Sequence, residues 1–155
     1  MNDAPYQGRF IGGIHRFGLR VYHEDTDATG IVYHANYLRF MDRARTDMLR
    51  CLGIEQAVLL AAGDGFYSVY EASLTFRAPA RLDDALVVVS RVGEVRAAAT
   101  VLLHDVWRGQ TKLVAGRVTA AWLGMGGRPQ RQPREWARRF SELLEQTRSI
   151  DATVG

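Results

Sequence analysis

Residues 24–53 read EDTDATGIVYHANYLRFMDRARTDMLRCLG, and a change of period inside this run decides the fold. From Tyr37 onward Phe40, Met41, Ala44, Met48, Leu49 and Leu52 recur at steps of three and four, which is one apolar face of an α-helix. Arg39, Asp42, Arg43, Arg45, Asp47 and Arg50 fall on the other side and are expected in solvent. Arg50 suits the negative end of the helix dipole, and Gly53 supplies a C-terminal cap. Upstream, Phe17, Leu19 and Val21 alternate with polar residues, so a strand is expected to lead into the acidic turn.

Downstream, Glu55 to Ala62 predicts a short helix closed by GDG. Phe66, Tyr70, Ala72, Leu74 and Phe76 share one parity of a strand, and ALVVVSRV, AAATVLLHDVW and KLVAGRVTAAWLG are rich in β-branched residues. The breaks between them are short. Short breaks favour antiparallel neighbours, because a parallel return needs a dozen or more residues. The tail from Pro133 places Trp136, Phe140, Leu143 and Leu144 on one helical face. The order is strand, long helix, four strands and terminal helix, an α+β domain. A single sheet on one helix leaves an apolar flank, so a homo-oligomer is expected. Residues 1–16 are glycine-rich and unpatterned and are expected to form a poorly ordered arm; 17–133 form the domain and 134–155 a basic amphipathic helix and tail.

A chain of 155 residues, 47% hydrophobic and 24% charged, fits one ordinary globular domain. No apolar run approaches the ~20 residues of a spanning helix, and the N-terminus lacks a signal-like region, so a cytoplasmic location is expected. The single Cys51 excludes an internal disulfide. The net charge of +3 arises from the arginine surplus between Arg128 and Arg148, which reads as a solvated helix face rather than a nucleic-acid surface.

Three chemistries compete for the acidic turn. Asp25 to Asn36 fits a calcium loop at several positions, but Asn36 stands where a bidentate glutamate is required, and a strand precedes the loop. DTDAT has the D-x-D-x-T spacing of an aspartyl phosphatase, but one hairpin-connected sheet follows in place of a parallel α/β domain. In the third reading the turn is the entry to the long helix. A carboxylate there lies beside unpartnered backbone N–H groups, which suits attack on a polarised carbonyl. Gly30 would let backbone approach a ligand closely. The same residue types serve capping and turn formation, so spacing leaves the two roles of Asp27 and Thr29 open.

The run RVYHEDTDATGIVYHANYLRFMDRARTDMLRCLGI closely resembles the signature of Tol–Pal-associated acyl-CoA thioesterases, within the 4-hydroxybenzoyl-CoA thioesterase group. LTFRAPARLDDALVV, KLVAGRVTAAWLG and GRPQRQP match later parts of the same family, so the resemblance spans roughly 17–133. It implies the hot-dog fold, a five-stranded antiparallel sheet wrapped around the long helix, in dimers or tetramers with sites at subunit boundaries. The resemblance assigns Asp27 as the catalytic carboxylate and His34 as its assistant. It gives the backbone N–H groups of Tyr33 and His34 to the oxyanion and Asp25 to shaping the turn. Gly30, Tyr37 and Arg96 become substrate contacts, with RAAA standing where some relatives carry a basic run. The implied reaction is hydrolysis of a short-chain or aromatic acyl-CoA, with acyl carrier protein as an alternative carrier. A dehydratase, or a non-catalytic acyl-thioester or envelope-associated binding protein, is the alternative. No cofactor beyond coenzyme A in the substrate is expected. No metal is expected either, because His15, His23 and His104 show no ligand spacing with His34. Cys51 is expected to be a packing residue.

Overall fold

In the computed structural model, residues 3–154 are described. Six strands run β1 (Arg9–Ile11), β2 (Ile14–Arg20), β3 (Phe66–Phe76), β4 (Ala85–Val95), β5 (Ala99–Arg108) and β6 (Thr111–Leu123). The helices are α1 (Asn36–Cys51), α2 (Gln56–Ala62) and α3 (Arg134–Val154), with a 3₁₀ turn at His23–Asp25. All neighbouring strands pair antiparallel in the order β1-β2-β4-β5-β6-β3. This is the expected α+β hot-dog architecture with one more strand than expected.

The additional strand comes from the stretch expected to be an arm. Arg9–Ile11 folds back on β2 through Gly12, whose φ of 62° only glycine adopts freely. The Tyr6 hydroxyl accepts the Gly18 N–H at 3.3 Å, and its ring meets Phe17 edge-on. Glycines interrupt the alternation here, which hides the hairpin from periodicity. Met1 and Asn2 lie outside the described residues.

The sheet curls around α1, and Phe40, Met41, Ala44 and Met48 are all fully buried. Met41 rests on Gly116, where an added Cβ would come within 2.5 Å of the methionine Cε. Arg45 and Asp47, expected in solvent, are only 8% and 9% exposed. A curled sheet covers more of a helix than a flat one, so the buried sector extends past the apolar stripe.

Beneath α1 a row of residues crosses the sheet in register: His15 pairs with Ser90, Ser90 with His104, His104 with Gly116 and Gly116 with Leu74. His15, Ser90 and His104 are completely buried. Helix α3 closes the far end, setting Phe140 and Leu143 against Met48, Leu49 and Leu52. The Arg139 guanidinium donates to the Leu52 carbonyl and so caps α1. Strand β3 is an edge, and along it Val69, Tyr70 and Phe76 are 43%, 61% and 51% exposed.

Candidate active site

The acidic turn is tied down before α1 begins. Asp25 is buried; its Oδ2 accepts the Tyr22 N–H and its Oδ1 accepts the Asn36 side-chain amide, each at 2.7 Å. The Asp25 carbonyl accepts the Tyr33 N–H at 2.9 Å. Bridges between Thr26 and Val32 and between Ile31 and Arg81 extend the lock to the chain after β3. The sequence assigned Asp25 to shaping the turn, and these bonds are the means.

Asp27 sits half-exposed in this frame. Its Oδ1 accepts both the Thr29 hydroxyl at 2.6 Å and the Thr29 N–H at 2.8 Å. Those two bonds, hydroxyl first, hold the carboxyl below its ordinary pKa, with the Ile31 backbone N–H and then His34 adding smaller pulls. The group is therefore an anion at neutral pH. Thr29 makes both close hydrogen bonds to this carboxylate through Oδ1.

Asp27 borders a cleft without lining it. The cleft, about 370 Å³, is walled by Ile31, His34, Tyr37, Phe76 and Pro79. The Tyr37 ring is buried, and its hydroxyl accepts the Ala80 N–H at 3.3 Å, so only the ring face is available to a ligand. The exposed His34 ring lies edge-on to Phe76 at 6.4 Å. The N–H of His34 has no acceptor among the described residues.

One expectation needs correction. The Tyr33 N–H is taken by the Asp25 carbonyl and is not free for an oxyanion. Gly30 has open space where its Cβ would be, and its φ of 80° favours glycine.

Arg96 is not brought to this cleft within one chain. The turn holding Asp27 meets the start of β4, where Val21 donates to Asp84 and Val32 to Ala80. Arg96 follows the end of that strand, 11 residues on, or roughly 35 Å at about 3.3 Å per residue. There it is paired with Glu94 and donates to the Tyr70 hydroxyl at 3.2 Å. A separate cavity of about 580 Å³, lined by Ser68, Tyr70, Arg96, Leu123 and Pro129, opens beside it.

Cys51 is half-buried and burial pushes its thiol up, which does not suit a nucleophile. No helix is long and apolar enough to cross a membrane among the described residues.

Comparison with known proteins agrees with this geometry. The family profile of the thioesterase superfamily matches residues 29–115, a segment that includes His34, Tyr37 and Arg96 and begins just after Asp27. The chain belongs to the thioesterase superfamily. It is similar to the acyl-CoA thioesterase YbgC of Haemophilus influenzae, 38% identical over 128 residues, covering 82% of this chain and 94% of that one. It is also similar to the acyl-CoA thioester hydrolase YbgC of Escherichia coli, 39% identical over 99 residues, covering 64% and 73%. Among solved structures, a probable thioesterase from Bartonella henselae superposes with a TM-score of 0.74 at 33% identity, covering 77% of this chain and 99% of that one.

Proposed function

We propose that the protein hydrolyses a small acyl-CoA to the free acid and coenzyme A, with Asp27 as the reacting carboxylate. The observation that carries this reading is the asymmetric hydrogen bonding of Asp27. Thr29 fixes Oδ1 and keeps the group ionised, while Oδ2 takes no part in the Thr29 bonds and is the oxygen that attacks the thioester carbonyl or takes a proton from water. The acyl carbonyl oxygen is polarised by the unpartnered His34 N–H near the start of α1. The His34 ring assists protonation of the departing thiolate. A cleft of about 370 Å³ between Tyr37, Phe76 and Pro79 suits a short-chain or aromatic acyl group.

The working unit is a dimer formed by antiparallel pairing of two β3 edges. An exposed 11-residue edge strand with apolar side chains is a template for such pairing. Antiparallel alignment sets the Phe66 end of one protomer beside the Phe76 end of the other, so the partner subunit's Arg96 approaches the Asp27 end. That Arg96 then meets the coenzyme A phosphates.

Thiol release from a panel of acyl-CoAs by the native protein and by Asp27→Asn tests the reading. Activity on short-chain or aromatic thioesters should fall about 10²–10⁴-fold in the variant. No thiol release from any acyl-CoA or acyl carrier substrate overturns the activity, and full activity in Asp27→Asn overturns the site.

A further inference from the structure

A second cluster of reactive side chains lies at the other end of α1, under the N-terminal hairpin. Asp47 and Cys51 are four residues apart on one face of the helix, and His15 of β2 points at both. The three donor atoms are close together. His15 Nε2 lies 2.7 Å from Asp47 Oδ2, Cys51 Sγ lies 3.7 Å from that oxygen, and Sγ lies 4.0 Å from Nε2. Among the described residues this is the one group of His, Cys and carboxylate side chains near enough to share an ion.

The circle through those three atoms has a radius of about 2.1 Å, within the 2.0–2.3 Å that Zn²⁺ takes to nitrogen, oxygen and sulfur. An ion near that centre meets all three ligands with shifts of a few tenths of an ångström. The Gln7 side-chain amide, 3.6 Å from Sγ, stands at the open side. Rotation of that amide presents its oxygen as a fourth ligand. The Gly8 backbone packs against the cluster, its N–H donating to Asp47 Oδ2 at 2.9 Å and its carbonyl accepting from Cys51 Sγ at 3.8 Å, and a Cβ there would clash with the Arg16 carbonyl and with Asp47 and His15. The charges also match: one carboxylate, one thiolate and a divalent cation sum to zero, which favours binding beside the buried His15 and Asp47.

We propose that His15, Asp47 and Cys51, completed by Gln7, form a Zn²⁺ site that fastens the N-terminal hairpin to the C-terminal half of α1. Binding releases the Cys51 thiol proton to solvent, and the His15 ring proton moves from Nε2 to Nδ1 so that Nε2 can ligate. His23 and His34 are exposed and belong to no such cluster. The site escapes sequence spacing because its ligands lie 32 and 36 positions from His15, on a different element. It is independent of the thioesterase reading.

Titration of the metal-free, reduced full-length protein with Co²⁺ tests the site. Cys51 is the only cysteine in the chain, so a sulfur-to-cobalt charge-transfer band can come from nowhere else. The expected result is such a band, saturating at one ion per chain and removed when Zn²⁺ displaces the cobalt. Cys51→Ser, which keeps a small polar group in place, should lose the band and bind Zn²⁺ at least tenfold more weakly. Zn²⁺ should raise the melting temperature of the native protein and not that of Cys51→Ser. No band, a band appearing only at millimolar cobalt, or equal Zn²⁺ affinity in native protein and Cys51→Ser overturns the proposal. In that case the cluster is a hydrogen-bonded lock only.

Discussion

The Asn36 side-chain amide donates to the buried carboxylate of Asp25 at 2.7 Å, joining the first residue of α1 to the turn that carries Asp27. Neither residue lines the cleft, so both act by position. Asn36→Ala should therefore lower kcat with little change in KM, and leave Asp25 Oδ1 unpartnered at a stability cost of about 1–3 kcal/mol. The exchange Asp25→Asn with Asn36→Asp restores a donor–acceptor pair and should recover part of the lost kcat. Steady-state kinetics beside denaturant unfolding separates the two effects.

The acid limb of the pH–rate profile should belong to Asp27. Its reactive form is the anion, so activity is present above the folded pKa and lost as pH falls through it. The Thr29 bonds depress that pKa, which places the loss below the usual carboxylate range. Thr29→Val removes the hydroxyl donor, the largest cause, and should move the limb to higher pH with the plateau rate largely kept. Profiles of kcat/KM for both proteins measure the shift.

Burial holds His104 neutral, with its pKa lowered to about 3 from 6.5; the guanidinium of Arg45 on α1 and the imidazole of His15 on β2 add to the effect. Ser90 of β4 bonds its Nδ1 at 2.7 Å. Here the folded pKa lies below the unfolded one, so the stabilisation is complete above about pH 6.5 and is lost as pH falls, because only the unfolded chain takes up the proton. By pH 5 this group should remove about 2 kcal/mol of stability. Urea unfolding at pH 7 and pH 5 should show the loss, and His104→Asn should flatten that dependence.

Gly116→Ala should destabilise the protein by about 1–3 kcal/mol, because the new methyl meets Met41 against a backbone that cannot retreat. Combined with Met41→Ala, the loss should be smaller than the sum of the two single losses if the contact is the cause. Thermal melts of the two single variants and the double variant make the comparison.

The helix and the acidic turn were legible because each is local. Seven residues at helical spacing define α1, and the run from Asp25 to His34 carries its chemistry in consecutive positions. What stayed hidden depends on partners distant in the chain. Arg45 and Asp47 look solvated by periodicity, yet the curled sheet buries both. The Tyr33 N–H looks free beside a helix start until Asp25 turns its carbonyl toward it. Arg96 lies at the far end of β4 from the turn, so within one chain the length of that strand keeps the two apart. His15 falls in a glycine-broken stretch whose partners on α1 no spacing reveals.

The row His15–Ser90–His104 also works as a key against misalignment. A one-residue slip of a strand exchanges its two faces. Slipping β2 would drive Arg16 beneath α1 in place of His15, and slipping β5 would turn Asp105 inward in place of His104. Neither charge would find the partner built for the residue it displaced. A purely aliphatic row would tolerate neighbouring alignments more readily. This chain therefore spends three polar positions in its interior on being folded in only one way.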